Sequence, residues 1–405
     1  MKLISIPTNK YSDYRYEVIF KAYKWDPQVD DHNTISKYVC LMNEETAKQL
    51  ETWAEELSRE TILMEEALIH NLSLAKDLGF PKKILKELKK LKDYDKNKHI
   101  RLMRFDFHPI EEGWAISEVN SDVPGGFAEA SILPEIASKL FEKCKPYKNS
   151  ADILLKEFKS RLKNNARIAF IYATSYSDDR QVMEFLSDHF NENGFDTVFA
   201  GPDHIKWNDK KAYNIVYGQE GNIDGIIRFF PLEWLVNLSP KANWEGYYTT
   251  ETCSCNHPIS IFAQSKRLPL IWDKLEIDIP TWKRLLPATI DPRLIKSKDD
   301  DWILKPTLGR VGEDISIKGT IPEKELLDIF KVAQRHPNDW VAQRLFKSKP
   351  LITENNEAYH LCVGVFTINA KSAGFYGRIS PYPRIDARAE DIPILVSKAV
   401  KNEKL

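Results

Sequence analysis

Apolar residues recur along this chain at two periods. From Glu44 to about Leu78 they fall at helical spacing (Leu50, Trp53, Leu57, Ile62, Leu63, Ala67), and a second, lysine-rich helix follows Pro81 over Lys82 to Leu91. Lys86, Lys89, Lys90 and Lys92 alternate with Leu and Glu there, the pattern of a solvated amphipathic face. A helix is predicted over Ala128 to Lys143, after the turn Pro124-Gly125-Gly126. The strand Arg167 to Tyr172, the helix Asp179 to Asn193, the stop Gly194 and the strand Thr197 to Ala200 form a β-α-β unit, and Asp224 to Phe230 adds a strand. This is a Rossmann-like lobe without a glycine fingerprint, so no dinucleotide is assigned to it. Beyond it the pattern predicts a helix over Pro258 to Trp272, strands at Trp302 to Lys305 and Val341 to Phe346 with a helix Pro322 to Arg335 between them, and a hairpin whose strands Cys362 to Ile368 and Ala373 to Ile379 flank Asn369 to Ser372.

Strand-period alternation is clearest in Arg104-Phe105-Asp106-Phe107-His108 and in Trp114-Ala115-Ile116-Ser117-Glu118-Val119-Asn120. Between them Glu111, Glu112 and Gly113 make a reversal. With the loop at Glu111 to Gly113 and Gly113 in the left-handed conformation, Asp106 faces Glu118 and Arg104 faces Asn120, so four polar side chains share one face. Opposed carboxylates repel unless a positive charge lies between them. A divalent ion held by Asp106, Glu118 and the Asn120 amide supplies that charge, and so does an exposed strand face neutralised by Arg104. Spacing leaves both readings open.

Composition narrows the partners. Lys plus Arg number 58 and Asp plus Glu 59, a net charge of −1, so no basic field draws the chain to nucleic acid or to an anionic membrane, and small molecules are the expected partners. Apolar runs are too short to span a bilayer, and Met1 to Pro7 reads as a first strand; the expected location is cytoplasmic. Five cysteines without a framework of spacings fit a reducing compartment. Cys253, Cys255 and His257 lack a second pair at zinc-finger spacing and are read as loop residues.

A second constellation follows the strand ending at Lys305: Pro306-Thr307-Leu308-Gly309-Arg310-Val311-Gly312-Glu313, then a strand over Asp314 to Ile317. Glycines let the backbone approach an anion and a lysine at the strand end supplies a point charge, so such a loop can close over phosphates; an ordinary hairpin uses the same residues. No Gly-Lys-[Ser/Thr] P-loop occurs, and Asp106-Phe107-His108 is not the kinase Asp-Phe-Gly.

Taken in order, Arg104, Asp106, Glu118 and Asn120, then Lys266, Lys305, the loop at 308 to 313, Gln343 and Arg378, the chain resembles the synthetase half of the glutathionylspermidine synthase family over about residues 100 to 380. The resemblance implies an α/β permuted ATP-grasp fold with a Rossmann-like lobe and helical cover. It implies Mg2+ ligands at Asp106, Glu118 and Asn120, catalytic arginines at Arg104 and Arg378, and an ATP site at Lys266, Lys305, Gly309, Arg310, Gly312 and Gln343. Gln343 and Arg378 align by context more than by motif. Val311 stands where the family's lid often has an acidic residue, and the amidase of bifunctional members is missing, so product hydrolysis is not expected.

The expected organisation is residues 1–160 as N-terminal helices and metal hairpin, 161–250 as a Rossmann-like substrate lobe, and 251–405 as ATP-binding lobes. The expected activity is ATP-dependent joining of a carboxylate to an amine through an acyl phosphate. Its rivals are a phosphotransferase on the same fold and a nucleotide-binding regulator without turnover. No residue pattern requires glutathione or spermidine; Asp178-Asp179 and Glu111-Glu112 read as solvated loop charge.

Overall fold

The computed structural model describes residues 1–91, 95–295, 301–309, 317 and 321–397. Its centre is an antiparallel sheet ordered Glu390–Ile392, Lys371–Ser380, Ala358–Ile368, Leu102–Ile110, Gly113–Asn120, with Leu351–Ile352 pairing beside Ala358–Ile368. The polar hairpin is therefore joined to strands some 260 residues later in the chain, as Phe366 opposite Arg104 and Gly364 opposite Asp106. Their hairpin turns through Asn369 and Ala370, both at positive φ (48° and 60°), the pairing that matches strand twist in a two-residue turn.

Against this sheet packs the helix Glu44–His70, started by the Asn43 side chain accepting from the Thr46 amide and by two acids in its first turn. Its buried face is Leu50, Ala54, Leu57, Thr61, Met64 and Leu68, a stripe of three- and four-residue steps. The helix stops eight residues before the expected Leu78, because Asn71 leaves helical geometry and Leu74–Leu78 continues as a 3-10 turn closed by Gly79 at φ 74°. The helices Lys82–Leu88 and Phe127–Ser138 likewise end short of their expected limits.

The Rossmann-like unit is a four-stranded parallel sheet, Cys253–Cys255, Gly225–Arg228, Arg167–Ile171, Asp196–Ala200, with the helix Ser177–Glu192 in its crossover and Gly194 at φ 90° after it. Cys253 and Cys255 thus lie on a buried strand, not in a loop. A third sheet places Thr289–Ile290, Trp340–Arg344 and Trp302–Pro306 side by side, all antiparallel. The helix predicted over Pro258 to Trp272 is broken into Pro258–Ser260, Ile261–Gln264 and Leu268–Lys274. Ser265 is extended at ψ 119°, and the Lys266 amide donates to Thr307 O at 2.9 Å instead of continuing a helix.

Candidate active site

The hairpin register is the predicted one, reached by another route. Ile110 pairs with Gly113, so the turn has two residues, Glu111 and Glu112, and Gly113 at φ 124° is the first residue of its strand. A two-residue turn alone would set Asp106 opposite Ser117. The register shifts between Asp106 and Phe107, leaving Ser117 as the extra residue of a bulge, and Asp106 meets Glu118 while Arg104 meets Asn120.

On that face Arg104 grips Asp106 with a two-point fork, Nε to Oδ1 at 2.7 Å and Nη2 to Oδ2 at 2.8 Å, and its Nη1 donates to Gly125 O at 2.6 Å. Asn120 Nδ2 donates to Asp106 Oδ2 at 3.1 Å and lies 3.5 Å from Glu118 Oε1. Gly364 makes room for the fork: a Cβ there would lie 2.7 Å from Arg104 Cδ.

Two lysines reach the same face from other elements. Lys266 Nζ lies 3.1 Å from Glu118 Oε2 and donates to Gly309 O at 2.6 Å, joining the hairpin to the start of the glycine loop. Lys305 Nζ donates to the carbonyl of the bulged Ser117 at 3.1 Å and to Gln343 Oε1 at 2.7 Å. Gln343 stands diagonally across the strand pair from Lys305 and donates its own amide to Thr289 Oγ1 at 3.2 Å. Arg310 and Gly312 lie outside the described residues, as does the strand expected over 314–317 except for Ile317.

These side chains titrate as a set. Burial works to raise the Glu118 carboxyl, but Lys266, Lys305 and Arg104 outweigh it and bring it down to about 2. Burial lowers the Lys305 ammonium to about 8, with Glu118 opposing and Lys266 assisting. Burial and Lys305 together lower His108 to about 3, so this ring, whose Nε2 is 3.0 Å from Ser117 Oγ, is neutral near pH 7. Burial tends to lower Arg104, but Asp106 more than compensates and fixes it as a cation.

Arg104, Asp106, Glu118, Asn120, Lys305 and Arg378 all open onto one cleft of about 1080 Å³. Arg378 is anchored by donating to Asp386 O. Arg104, Lys305 and Arg378 outnumber Asp106 and Glu118 on this face, and Lys266 pairs with Glu118, while the wall beyond carries further acids, Asp26, Asp178, Asp179, Glu129 and Asp391, beside Lys24, Lys347 and Arg384. Among the described residues no group of three or more His, Cys, Asp or Glu could by itself hold a metal ion. The donor set still fits Mg2+, which takes hard oxygen ligands and commonly binds through one or two carboxylates while phosphates and water complete its shell. Of the two acids Glu118 is the less committed, since both Asp106 oxygens accept from Arg104.

Sequence reasoning missed Ser117, Gly364, Thr289 and a further network on the cleft wall: Tyr376, Asp391, Lys24 and Glu129. Tyr376 was within reach of the pattern, being two residues before Arg378 on one strand and so on the same face. Lys24 carries no local signal.

The sequence pattern of the glutathionylspermidine synthase preATP-grasp family matches residues 6–396. Among curated proteins none matches the chain. A glutathione synthetase-like effector from Globodera pallida, solved in its apo form, superposes with a TM-score of 0.64 at 11% identity, covering 96% of this chain and 98% of the effector. A putative gamma-glutamylcysteine synthetase from Methylobacillus flagellatus gives a TM-score of 0.41 at 11% identity, covering 83% and 88% of the two chains. The likeness to the effector is one of fold, a mixed α/β architecture.

Proposed function

The chain belongs to the glutathionylspermidine synthase preATP-grasp family, which supports a ligase-type role, and from that premise we propose that it is an ATP-dependent carboxylate-amine ligase of ATP-grasp type. The observation that carries this reading is the convergence of Lys305, Arg104 and Arg378 with the Asp106–Glu118–Asn120 face in one cleft. A carboxylate oxygen attacks the γ-phosphorus of ATP, the bond to the bridging oxygen breaks and ADP leaves. An amine then attacks the acyl carbon, the carbon–oxygen bond breaks, phosphate leaves and the nitrogen loses a proton.

The protein's share of this is positioning and charge. Lys305 and Lys266 take the phosphates from two sides, Arg104 faces the transferring phosphoryl group, and Arg378 holds the acyl phosphate and the oxyanion that follows. Mg2+, when bound by Glu118, Asp106 and Asn120, neutralises phosphate charge. Water would destroy the acyl phosphate, and the family resemblance gives its exclusion to the glycine segment 308–313, of which residues 310–313 lie outside the described residues. Gln343 holds Lys305 in place at 2.7 Å.

The test is to screen acids and amines for ATP-dependent phosphate release, then add hydroxylamine with the active acid and no amine. One hydroxamate per phosphate is the expected result. A stable phosphorylated acceptor without free phosphate would replace the ligase by a phosphotransferase, and ATP turnover at background with every pair would leave a nucleotide-binding regulator.

A further inference from the structure

An aromatic ring lies against the guanidinium of Arg104. The Tyr376 ring centre lies 5.1 Å from the guanidinium carbon of Arg104, within the range of a cation over a π face. The ring is itself held: Tyr376 OH donates to Asp391 Oδ1 at 2.6 Å, Lys24 Nζ meets Asp391 Oδ2 at 2.5 Å, and the same ammonium meets Glu129 Oε1 at 2.9 Å. Asp391 is buried and lies on the strand beside Tyr376's own. Space for the ring is made by a glycine: Gly126, at φ 81°, would carry a Cβ 2.6 Å from two Tyr376 ring carbons. Its neighbour Gly125 provides the carbonyl that Arg104 Nη1 meets. Three distant segments, residues 24, 125–129 and 376–391, thus converge on the pose of one guanidinium.

We propose that Tyr376 is a positioning residue whose ring, seated against Gly126, holds Arg104 toward the phosphates. Without the ring face the guanidinium keeps its charge and its bonds to Asp106 and Gly125 but loses the surface that fixes its plane, and misplacement by about 1 Å costs on the order of a hundredfold in rate. The ring face does the positioning, so it is the ring, rather than the hydroxyl, that must be retained. The assignment deepens the ligase reading and rests on it for its kinetic readout.

The test compares Tyr376→Phe, Tyr376→Leu and Phe375→Leu. Phe375 is a buried neighbour on the opposite face, stacked on Tyr147 at 5.1 Å, and controls for loss of packing. Tyr376→Leu should slow hydroxamate formation roughly tenfold to a hundredfold, and Tyr376→Phe should restore it to within about threefold of the parent. Phe375→Leu should lower the thermal midpoint and leave the rate within about twofold. In an Arg104→Lys background, which keeps the charge but loses the planar fork, Tyr376→Leu should add less than about threefold. Additive losses, or equal losses in Tyr376→Leu and Phe375→Leu, would overturn the assignment. If the parent protein makes no hydroxamate, the ligase reading fails on its own account, and the same cycle is read on calorimetric affinity for a non-hydrolysable ATP analogue with Mg2+. There Tyr376→Leu should weaken binding while Tyr376→Phe restores it; equal binding in all variants, or no binding to the parent, would overturn the placement.

Discussion

At Lys305 a single proton links the site to pH. Burial brings the ammonium to about 8, so it loses its charge within the ordinary working range. Its unfolded value is higher, near 10.5, so the fold binds fewer protons than the unfolded chain between the two values, and this group's contribution to stability rises with pH across that window. For binding the sign is opposite: phosphate needs the ammonium, and affinity for an ATP analogue should fall above about pH 8, by up to about tenfold per pH unit. Lys305→Arg, which keeps its charge, should flatten that profile in calorimetric titrations from pH 7 to 9.5; an unchanged slope would remove Lys305 from the phosphates. Glu118 is the complementary case, ionised down to about 2 and held by Lys266 at 3.1 Å. On the proposed reading of Glu118 as a Mg2+ ligand, Glu118→Ala should cut turnover at least about a hundredfold and raise the Mg2+ requirement, by removing charge stabilisation from the transferring phosphoryl group. Near-normal turnover with unaltered Mg2+ dependence would reduce the hairpin to a polar strand face.

Elements are aimed by small backbone devices. The bulge at Ser117 restores the pairing of Asp106 with Glu118 after a two-residue turn and leaves the Ser117 carbonyl to Lys305. Alternation announced the polar face but not the bulge, since a three-residue loop without a bulge yields the same partners. Gly364 is the second device. Gly364→Ala would place a Cβ 2.7 Å from Arg104 Cδ, and the overpacking, of order 1–3 kcal/mol, can be relieved by moving the arginine stem. Catalysis should therefore fall more than stability: hydroxamate formation drops at least about tenfold while the urea midpoint shifts modestly. A large stability loss with unchanged specific activity of the folded fraction would contradict this.

Across the whole molecule, a pair of buried histidines contributes to the response to acid. His99 and His257 sit 4.2 Å apart, ring centre to ring centre, both buried, where the parallel sheet meets the central one. Burial brings His99 to about 4 and, with the neighbouring His99 adding, puts His257 well below its ordinary value. Both are therefore neutral in the fold below the unfolded value near 6.5, where the unfolded chain takes up protons and the fold does not. Stability is lost as pH falls from about 6.5 toward 4, at about 1.4 kcal/mol per pH unit for each ring. Urea unfolding at pH 7, 6 and 5 should show the midpoint falling, and His99→Asn should reduce the slope. A flat profile would show that these rings are protonated in the fold.

Local pattern determined the elements whose burial has a simple period: the hairpin's polar face, the β-α-β unit, the strands carrying Lys305 and Gln343, and the reversal at Asn369. Motif order, read as a family resemblance, marks Arg104, Asp106, Glu118, Lys266 and Arg378 for one site without any tertiary contact. What only the tertiary structure decided is what depends on neighbours remote in sequence. The helix predicted through Lys266 is broken because its amide bonds to Thr307 O, a partner that exists only once the strand Trp302–Pro306 is alongside. Tyr376, Asp391 and Lys24 meet over Arg104 because three separate segments close on one cleft, and neither hydrophobic period nor residue spacing encodes a meeting of that kind. A side chain's period tells which face it takes; only packing determines what it meets there.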